Sequence, residues 1–469
     1  MRARLRGSGT RATRGEDLSR LPYASVDRLA RPFLYFVRVE AMAGVVLLAS
    51  TAAALALANS PWSQAFIGLW QLPVGVSVGA LETSRSLQHW INDGLMTLFF
   101  FVISLELKRE LVLGELRNPR VAALPMAAAL GGMLVPVGVF LMLVEPGPQA
   151  RGWGTVMSTD TAFVIGCLAV LGSRIPGSLR LFLLSLAIFD DVGAVLVVAV
   201  GYGGPLDAIA LALAAGTVGA IVALGRMGVR GMSIYVALGV GLWVALDRSG
   251  LHATVAGVIL GLLAPSRRWV SDTRLRAILD RVTARPLDER WGGNAVARHD
   301  LSRAGIATRE ALSPIERLEL ALHPWVAFAV LPLFALANAG VPLRGLAVDG
   351  GLALAVAAAF VLGKPAGVAL FAVAAVRTGI AIRPPSLPWR LLLPGSVLTG
   401  IGFTMALFIA DLAFDAGSLA SAKLGILVAS VACATLGLGA LAWATAGTGH
   451  RNARAALPGA DARSAGARR

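Results

Sequence analysis

Charge is scarce in this sequence. Only 15% of its 469 residues are Asp, Glu, Lys or Arg, against roughly 25% in a soluble domain. With 56% of residues hydrophobic and a mean hydropathy of +0.72, a soluble globular chain is excluded. Cysteine is nearly absent. Cys167 and Cys433 both lie in apolar runs, so neither a disulfide framework nor a cysteine-based metal cluster is expected. Lysine is reduced to Lys108, Lys364 and Lys423 beside 39 arginines.

Apolar sequence is what the chain has in abundance. Twelve spans are expected, at 41–58, 92–105, 121–144, 155–171, 179–200, 206–224, 232–246, 251–263, 325–341, 352–376, 391–414 and 424–445. A run of about 20 apolar residues crosses a hydrocarbon core of about 30 Å as a helix. The 53 glycines suit close helix packing in lipid, where small residues let backbones approach. When alternate connecting segments are assigned to one side, 36 of the 42 basic residues fall together, five fall on the other side, and Lys364 lies within a span. The positive-inside rule then places both termini in the cytoplasm. The net charge of +15 is therefore topological, and nucleic-acid binding is excluded.

The spans divide the chain into a cytoplasmic arginine-rich tail (1–39), a membrane domain (40–445) and a disordered cytoplasmic tail (446–469). The first apolar run ends in Ala56-Leu57-Ala58, like a signal-peptide cleavage site, but its length and the eleven spans after it favour an uncleaved anchor. A cytoplasmic loop at 264–324 carries eleven arginines and is expected to be only partly ordered. On the opposite side, residues 71–83 read QLPVGVSVGALET, where alternating valines before Gly79-Ala80 predict a short periplasmic β-hairpin.

Ionisable groups at the centre of a span cost about 2.5–3.5 kcal/mol or more on insertion scales, so each is a functional candidate. Four qualify: Asp160 in the fourth span, Asp190 and Asp191 in the fifth, and Lys364 in the tenth. Three carboxylates and one lysine cannot all be neutralised by pairing, so at least one aspartate is protonated, hydrated or bound to a cation. Adjacent helical residues point about 100° apart, which gives Asp190 and Asp191 different partners. One pairs with Lys364, while the other, with Asp160, faces an aqueous cavity. Burial and a nearby like charge both favour the protonated form of a carboxylate, so such a group can release H⁺ and take up Na⁺ in turn. A buried lysine, unlike an arginine, can also release its proton. Lys364 is thus either a proton carrier or a permanently charged structural partner. Asp411, in the eleventh span, is placed near the outer surface.

Two spans look broken. The fourth carries the polar patch Ser158-Thr159-Asp160-Thr161, and the eleventh is interrupted by Pro394, Gly395, Gly400 and Gly402. Non-helical backbone at membrane depth is tolerated only when buried in protein or lining a cavity, and interrupted segments at corresponding places in two halves point to a transporter binding site. Spans 3–5 and 10–12 are then paired, inverted repeats. Asp160 would compensate positive half-helix ends and Lys364 negative ones. The expected fold is an all-α polytopic membrane protein of about 12 transmembrane helices with two such repeats.

The motifs Thr159-Asp160-Thr161-Ala162-Phe163, Leu186 to Ala194 (LAIFDDVGA), Gly363-Lys364-Pro365 and Gly402-Phe403-Thr404-Met405 resemble those of the NhaA-type bacterial sodium/proton antiporters. Ile91-Asn92-Asp93, Leu105 to Glu110 (LELKRE), Gly131-Gly132-Met133, His252-Ala253-Thr254, Leu322 to Trp325 (LHPW) and Ala337 to Gly340 (ANAG) extend the resemblance over roughly 40–445. It implies that Asp190 and Asp191 bind the ion, that Thr159 and Asp160 sit at the broken-helix crossing, and that Lys364 partners Asp190. The metal bound at Asp190 and Asp191 would be the transported Na⁺ or Li⁺, with no cofactor. The Asp-Asp pair implies electrogenic exchange, with more than one proton per sodium. The pH-sensing region would comprise Glu106, Arg109, Glu110, Glu319 and His323, unless these are solvated loop charges and a His-Pro helix start. Well-studied members carry histidine where this chain has Leu320.

The function expected is therefore pH-regulated export of Na⁺ or Li⁺ against H⁺ by alternating access in the bacterial inner membrane. Dimerisation through the 71–83 hairpin rests on that hairpin and on the resemblance. Three other functions compete with this one. A sodium-coupled symporter of an organic anion would need a further intramembrane basic residue. An intramembrane aspartyl protease would need Tyr-Asp and Gly-x-Gly-Asp motifs, which are absent from the sequence. A passive channel would not need competing carboxylates with a lysine.

Overall fold

The computed structural model describes residues 39–78, 81–112, 114, 118–229, 232–266, 270–284, 295–342 and 348–455. Nearly all of the expected N-terminal tail, residues 456–469 of the expected C-terminal tail and the hairpin turn at 79–80 lie outside them. So do 267–269 and 285–294 of the arginine-rich loop. Everything below concerns the unit that starts at Glu40.

The chain enters as α1 (Val39–Ala58), bends by 114° into the short α2 (Ser63–Gln71) and forms an antiparallel pair, β1 (Pro73–Val78) and β2 (Leu81–Ser86). Val74 faces Arg85 and Val78 faces Leu81 across the pair. The hairpin is thus present and reaches three residues beyond its expected end, because the polar LETSRS strand carries no apolar alternation to mark it. Arg85 fastens it by two hydrogen bonds, of 2.7 and 2.8 Å, to the carboxylate of Asp247.

Helix α3 (Leu87–Val112) follows, with a π-turn at Ile91–Leu95, then α4 (Pro119–Leu143), capped by Asn118 on the Arg120 N–H at 3.1 Å. A 3₁₀ helix (Pro148–Met157) and α5 (Thr161–Leu171) form one bent span, followed by α6 (Gly177–Gly201), α7 (Ala208–Arg226), α8 (Met232–Arg248) and α9 (Val255–Leu263). The arginine-rich loop carries two helices, α10 (Asp272–Thr283) and α11 (Ala295–Ala311). The last group is α12 (Pro314–Asn338), α13 (Gly350–Arg377), the bent pair α14 (Trp389–Leu398) and α15 (Phe403–Ala413), and α16 (Ala416–Ala455). Ser313 and Glu316 form a reciprocal capping box at the start of α12, and the alanine-rich α16 continues past the expected end of the last span.

A helix or a helix pair lies at each of the twelve expected spans. Among the described residues, seven are long and apolar enough to cross a membrane alone, or ten if each bent pair counts as one span; α8 and α9, with 17 and 9 residues, are shorter. Large apolar side chains point outward along these helices, among them Met142, Ile209 and Trp443, as lipid in place of water requires. The chain is a multi-pass all-α membrane protein with one small sheet.

Helices α4 and α13 cross in direct backbone contact. A Cβ on Gly131 would lie 2.2 Å from the Gly367 carbonyl oxygen, and one on Gly367 would lie 2.1 Å from that of Gly131. The reciprocity fits paired repeats, and both positions require glycine because only a bare backbone can approach so closely. This crossing brings Lys364 on α13 to the centre of the molecule.

Candidate functional site

The two breaks are local consequences of sequence. In the fourth span, Ser158, Thr159 and Asp160 offer side-chain oxygens that compete with helix hydrogen bonds, and the chain leaves the helical path there. In the eleventh, Gly400 and Gly402 allow a close crossing: a Cβ on Gly400 would lie 2.5 Å from Cys433 Sγ, and one on Gly402 would lie 2.4 Å from the Phe360 ring. The bends are 43° and 45°.

The breaks satisfy each other's backbone. Asp160 N–H donates to the Ile401 carbonyl at 2.7 Å, and the Thr159 hydroxyl, whose single proton is shared with the Asp190 carboxylate, lies 3.0 Å from the Thr399 carbonyl oxygen. Asp160 serves two half-helix N-termini at once. Its Oδ1 accepts from Phe163 N–H at 2.9 Å, and its Oδ2 accepts from the N–H and hydroxyl of Thr404 at 3.0 and 2.5 Å. Lys364 Nζ donates to the Met157 carbonyl, at the C-terminal end of the 3₁₀ helix. The expected compensation of positive ends by Asp160 and of negative ends by Lys364 is the arrangement found.

Asp190 and Asp191 project from α6 toward different partners. Asp190 Oδ2 lies 3.0 Å from Lys364 Nζ and accepts from the Thr159 hydroxyl at 2.6 Å. Asp191 Oδ2 accepts from the Thr161 hydroxyl at 3.2 Å. The Oδ1 atoms of both aspartates, and the hydroxyls of Thr155 and Ser158, are buried without a hydrogen-bond partner among the described residues. Asp160, Asp190, Asp191 and Lys364 are between 0 and 2% exposed. The expected aqueous cavity at Asp160 is therefore not found: its oxygens are committed to the crossing. Sequence reasoning did not single out Thr161, Thr399 and Thr404 as site residues; their signal is a hydroxyl beside a helix break in an otherwise apolar run.

The expected pH-sensing residues gather at the arginine-rich end. Arg109 near the end of α3 is ion-paired with Glu319 on α12 and bonds to Glu110 at 3.1 Å. The charge of Glu106 acts on Arg109 as well. His323 stands one turn after Glu319 on α12, and Leu320 is exposed.

Residues 35–441 match the family model described as Na⁺/H⁺ antiporter 1. The chain belongs to this family. Among its relatives in the antiporter family, it is 61% identical over 426 residues to a protein of Rhizobium meliloti (strain 1021) called Na(+)/H(+) antiporter NhaA, covering 91% of this chain and 98% of that one. It is 56% identical over 420 residues to Na(+)/H(+) antiporter NhaA 2 of Acidiphilium cryptum (strain JF-5), covering 89% and 93%. It is also 49% identical over 421 residues to Na(+)/H(+) antiporter NhaA 2 of Vibrio vulnificus (strain CMCP6), covering 90% and 94%. These antiporters are transporters and not enzymes, and the symporter alternative finds no support among them.

Proposed function

We propose that this protein is an electrogenic Na⁺(Li⁺)/H⁺ antiporter that exports sodium in exchange for protons by alternating access, under pH control. The observation that carries the proposal is the charge imbalance at the crossing. Three buried carboxylates share a site with a single ammonium group, and both Asp190 and Asp191 keep an oxygen without a hydrogen-bond partner among the described residues.

Asp160 is occupied in holding two helix ends, and Asp190 is paired with Lys364. Among the described residues, Asp191 has only a threonine hydroxyl. In the proton-loaded state Asp191 is neutral; in the sodium-loaded state its carboxylate and that of Asp190 bind the bare cation through the oxygens left without a hydrogen-bond partner among the described residues. When Na⁺ enters, Asp190 loosens from Lys364, and with Asp191 supplying one proton, electrogenic exchange requires a second, which the freed Lys364 is placed to release. A cycle that returns two protons per sodium moves one net charge, worth about 2.3 kcal/mol per 100 mV.

The basic end is assigned to the cytoplasm of a bacterial inner membrane, which places both termini inside and the hairpin outside. A homodimer through the hairpin is supported by its two open strand edges, since unpaired edges recruit a further strand. Everted vesicles from a host without its own antiporters, holding a pH gradient, test the exchange. Adding Na⁺ or Li⁺ is expected to collapse the gradient, and Asp191→Asn is expected to abolish the response although the protein inserts. No proton movement with any cation between pH 6.5 and 8.5 would sink the proposal.

A further inference from the structure

Asp411 belongs to none of the contacts described so far, although it is a carboxylate in the otherwise apolar half-helix FTMALFIADLA. That half-helix, α15, starts at the crossing, where Thr404 holds Asp160, and runs to the hairpin end of the molecule. Its last turn is tied to a neighbour. Asp411 Oδ2 accepts from Asn92 Nδ2 at 2.9 Å, on the π-turn of α3. Asn92 and Asn338 exchange amide hydrogen bonds of 2.7 and 3.3 Å, and Gln88 Nε2 donates to Asn338 Oδ1 at 2.9 Å. Asn92 is 5% exposed and Asn338 1%, so these amides have been withdrawn from solvent and depend on one another. Buried Lys423 on α16 lies within reach of the Asp411 charge.

One turn deeper, Phe408 is fully buried. Its ring centroid lies 5.7 Å from that of Phe100 on α3, 6.3 Å from that of Phe334 on α12 and 5.7 Å from that of His252. Along its length α15 therefore touches α3 and α12, which lie outside the paired repeats, first through an aromatic cluster and then through a chain of polar side chains. Side chains of α15 deeper than Phe408, such as Ala406, are fully buried.

We propose that Asp411, Asn92 and Asn338 form an outer latch over an aromatic plug centred on Phe408, which holds the ion site closed to the outside until α15 parts from α3 and α12. The assignment rests on the alternating-access function and orientation proposed above. Asp411 acts here as a positioning residue: it touches neither the ion nor its carboxylates, and it fixes the far end of the half-helix whose first turn holds Asp160. Because the latch uses an accepting oxygen and not a net charge, asparagine can replace the aspartate and alanine cannot.

The test places a single cysteine at Ala406 in a chain carrying Cys167→Ala and Cys433→Ala. Right-side-out vesicles are treated with a membrane-impermeant maleimide. Asp411→Ala is expected to speed labelling of the cysteine at 406 at least tenfold, Asn92→Ala is expected to do the same, and Asp411→Asn is expected to stay within about twofold of the parent. Unchanged labelling in the alanine variants overturns the latch. So does an Asp411→Asn variant as open as Asp411→Ala, which would reduce the residue to a counter-charge for Lys423. If Asp411→Ala fails to insert, Asn92→Ala decides by the same criterion. Sodium-driven proton movement in the parent, measured in parallel, reports on the exchange itself, so failure of the latch and failure of the proposed function give different results.

Discussion

Lys364 carries more of the site than any other side chain, because its ammonium group neutralises a carboxylate and caps a helix end at once. Its nitrogen lies 3.0 Å from Asp190 and also meets the Met157 carbonyl, with the whole side chain buried. Removing one partner of a buried pair leaves an uncompensated charge and typically costs about 3–5 kcal/mol, whereas removing both is far milder. Lys364→Ala is therefore expected to lower the unfolding temperature in detergent sharply, and Lys364→Ala combined with Asp190→Asn is expected to recover much of the loss. A double variant as unstable as the single one would show that the Met157 contact matters more than the ion pair. The residue types at this site were legible in the sequence, because charged groups in apolar spans stand out. Thr161 and Thr404 were not, because a threonine in a membrane helix usually bonds its own backbone, as Thr51 does to Leu47. Only the position of the neighbouring break gives these hydroxyls another partner.

At the scale of elements, the crossing is a shared solution to the hydrogen-bonding problem that a broken helix creates in lipid. Each break leaves N–H and C=O groups without helical partners, and the two segments supply them to one another through Asp160, Thr159 and Thr404. Thr404→Val keeps the shape of the side chain and deletes its hydroxyl, which leaves a buried Asp160 oxygen short of one donor. The expected cost is about 1–3 kcal/mol, read as a loss of thermal stability together with weaker sodium-driven exchange, while Thr404→Ser is expected to retain both. A Thr404→Val variant with native stability would show that the Thr404 N–H suffices for that Asp160 oxygen and that the hydroxyl adds nothing to the crossing. The breaks themselves were foreseeable from Pro394, Gly400, Gly402 and the polar patch at 158–161. Their contact was not, since about 240 residues separate Asp160 from Thr404, and no local pattern encodes such a pairing.

Across the whole molecule, the proposed exchange site and the regulatory cluster are separate features joined by long helices. Arg109 on α3 and Glu319 on α12 link two helices at the arginine-rich end, and the same two helices hold Asn92, Phe100, Phe334 and Asn338 around α15 at the other end. A change in charge beside Arg109, at Glu319, would therefore act on the same two helices that form the proposed outer closure, without a contact to the ion. Leu320 is exposed beside Glu319, where a histidine would titrate near 6.5. Below that pH the added positive charge would compete with Arg109 for Glu319, and above it the imidazole would be neutral. Leu320→His is expected to add a step near pH 6.5 to the pH profile of sodium-driven exchange, absent from the parent. Superimposable profiles would remove this end of α12 from the sensor.

Composition and spacing alone determined that this chain lives in a membrane, where its spans fall, which side carries the arginines and which four ionisable groups are anomalous. These follow from local physics: the cost of charge in hydrocarbon, the length of helix needed to cross it, and the backbone freedom of glycine and proline. The tertiary structure decided which anomalous groups meet. It committed Asp160 to two helix ends, paired Asp190 with Lys364, left Asp191 with a single hydroxyl, and tied Asp411 to asparagines on other helices. Those outcomes depend on how distant segments cross, through close approaches such as Gly131 against Gly367, and the order of residues along one helix does not contain them.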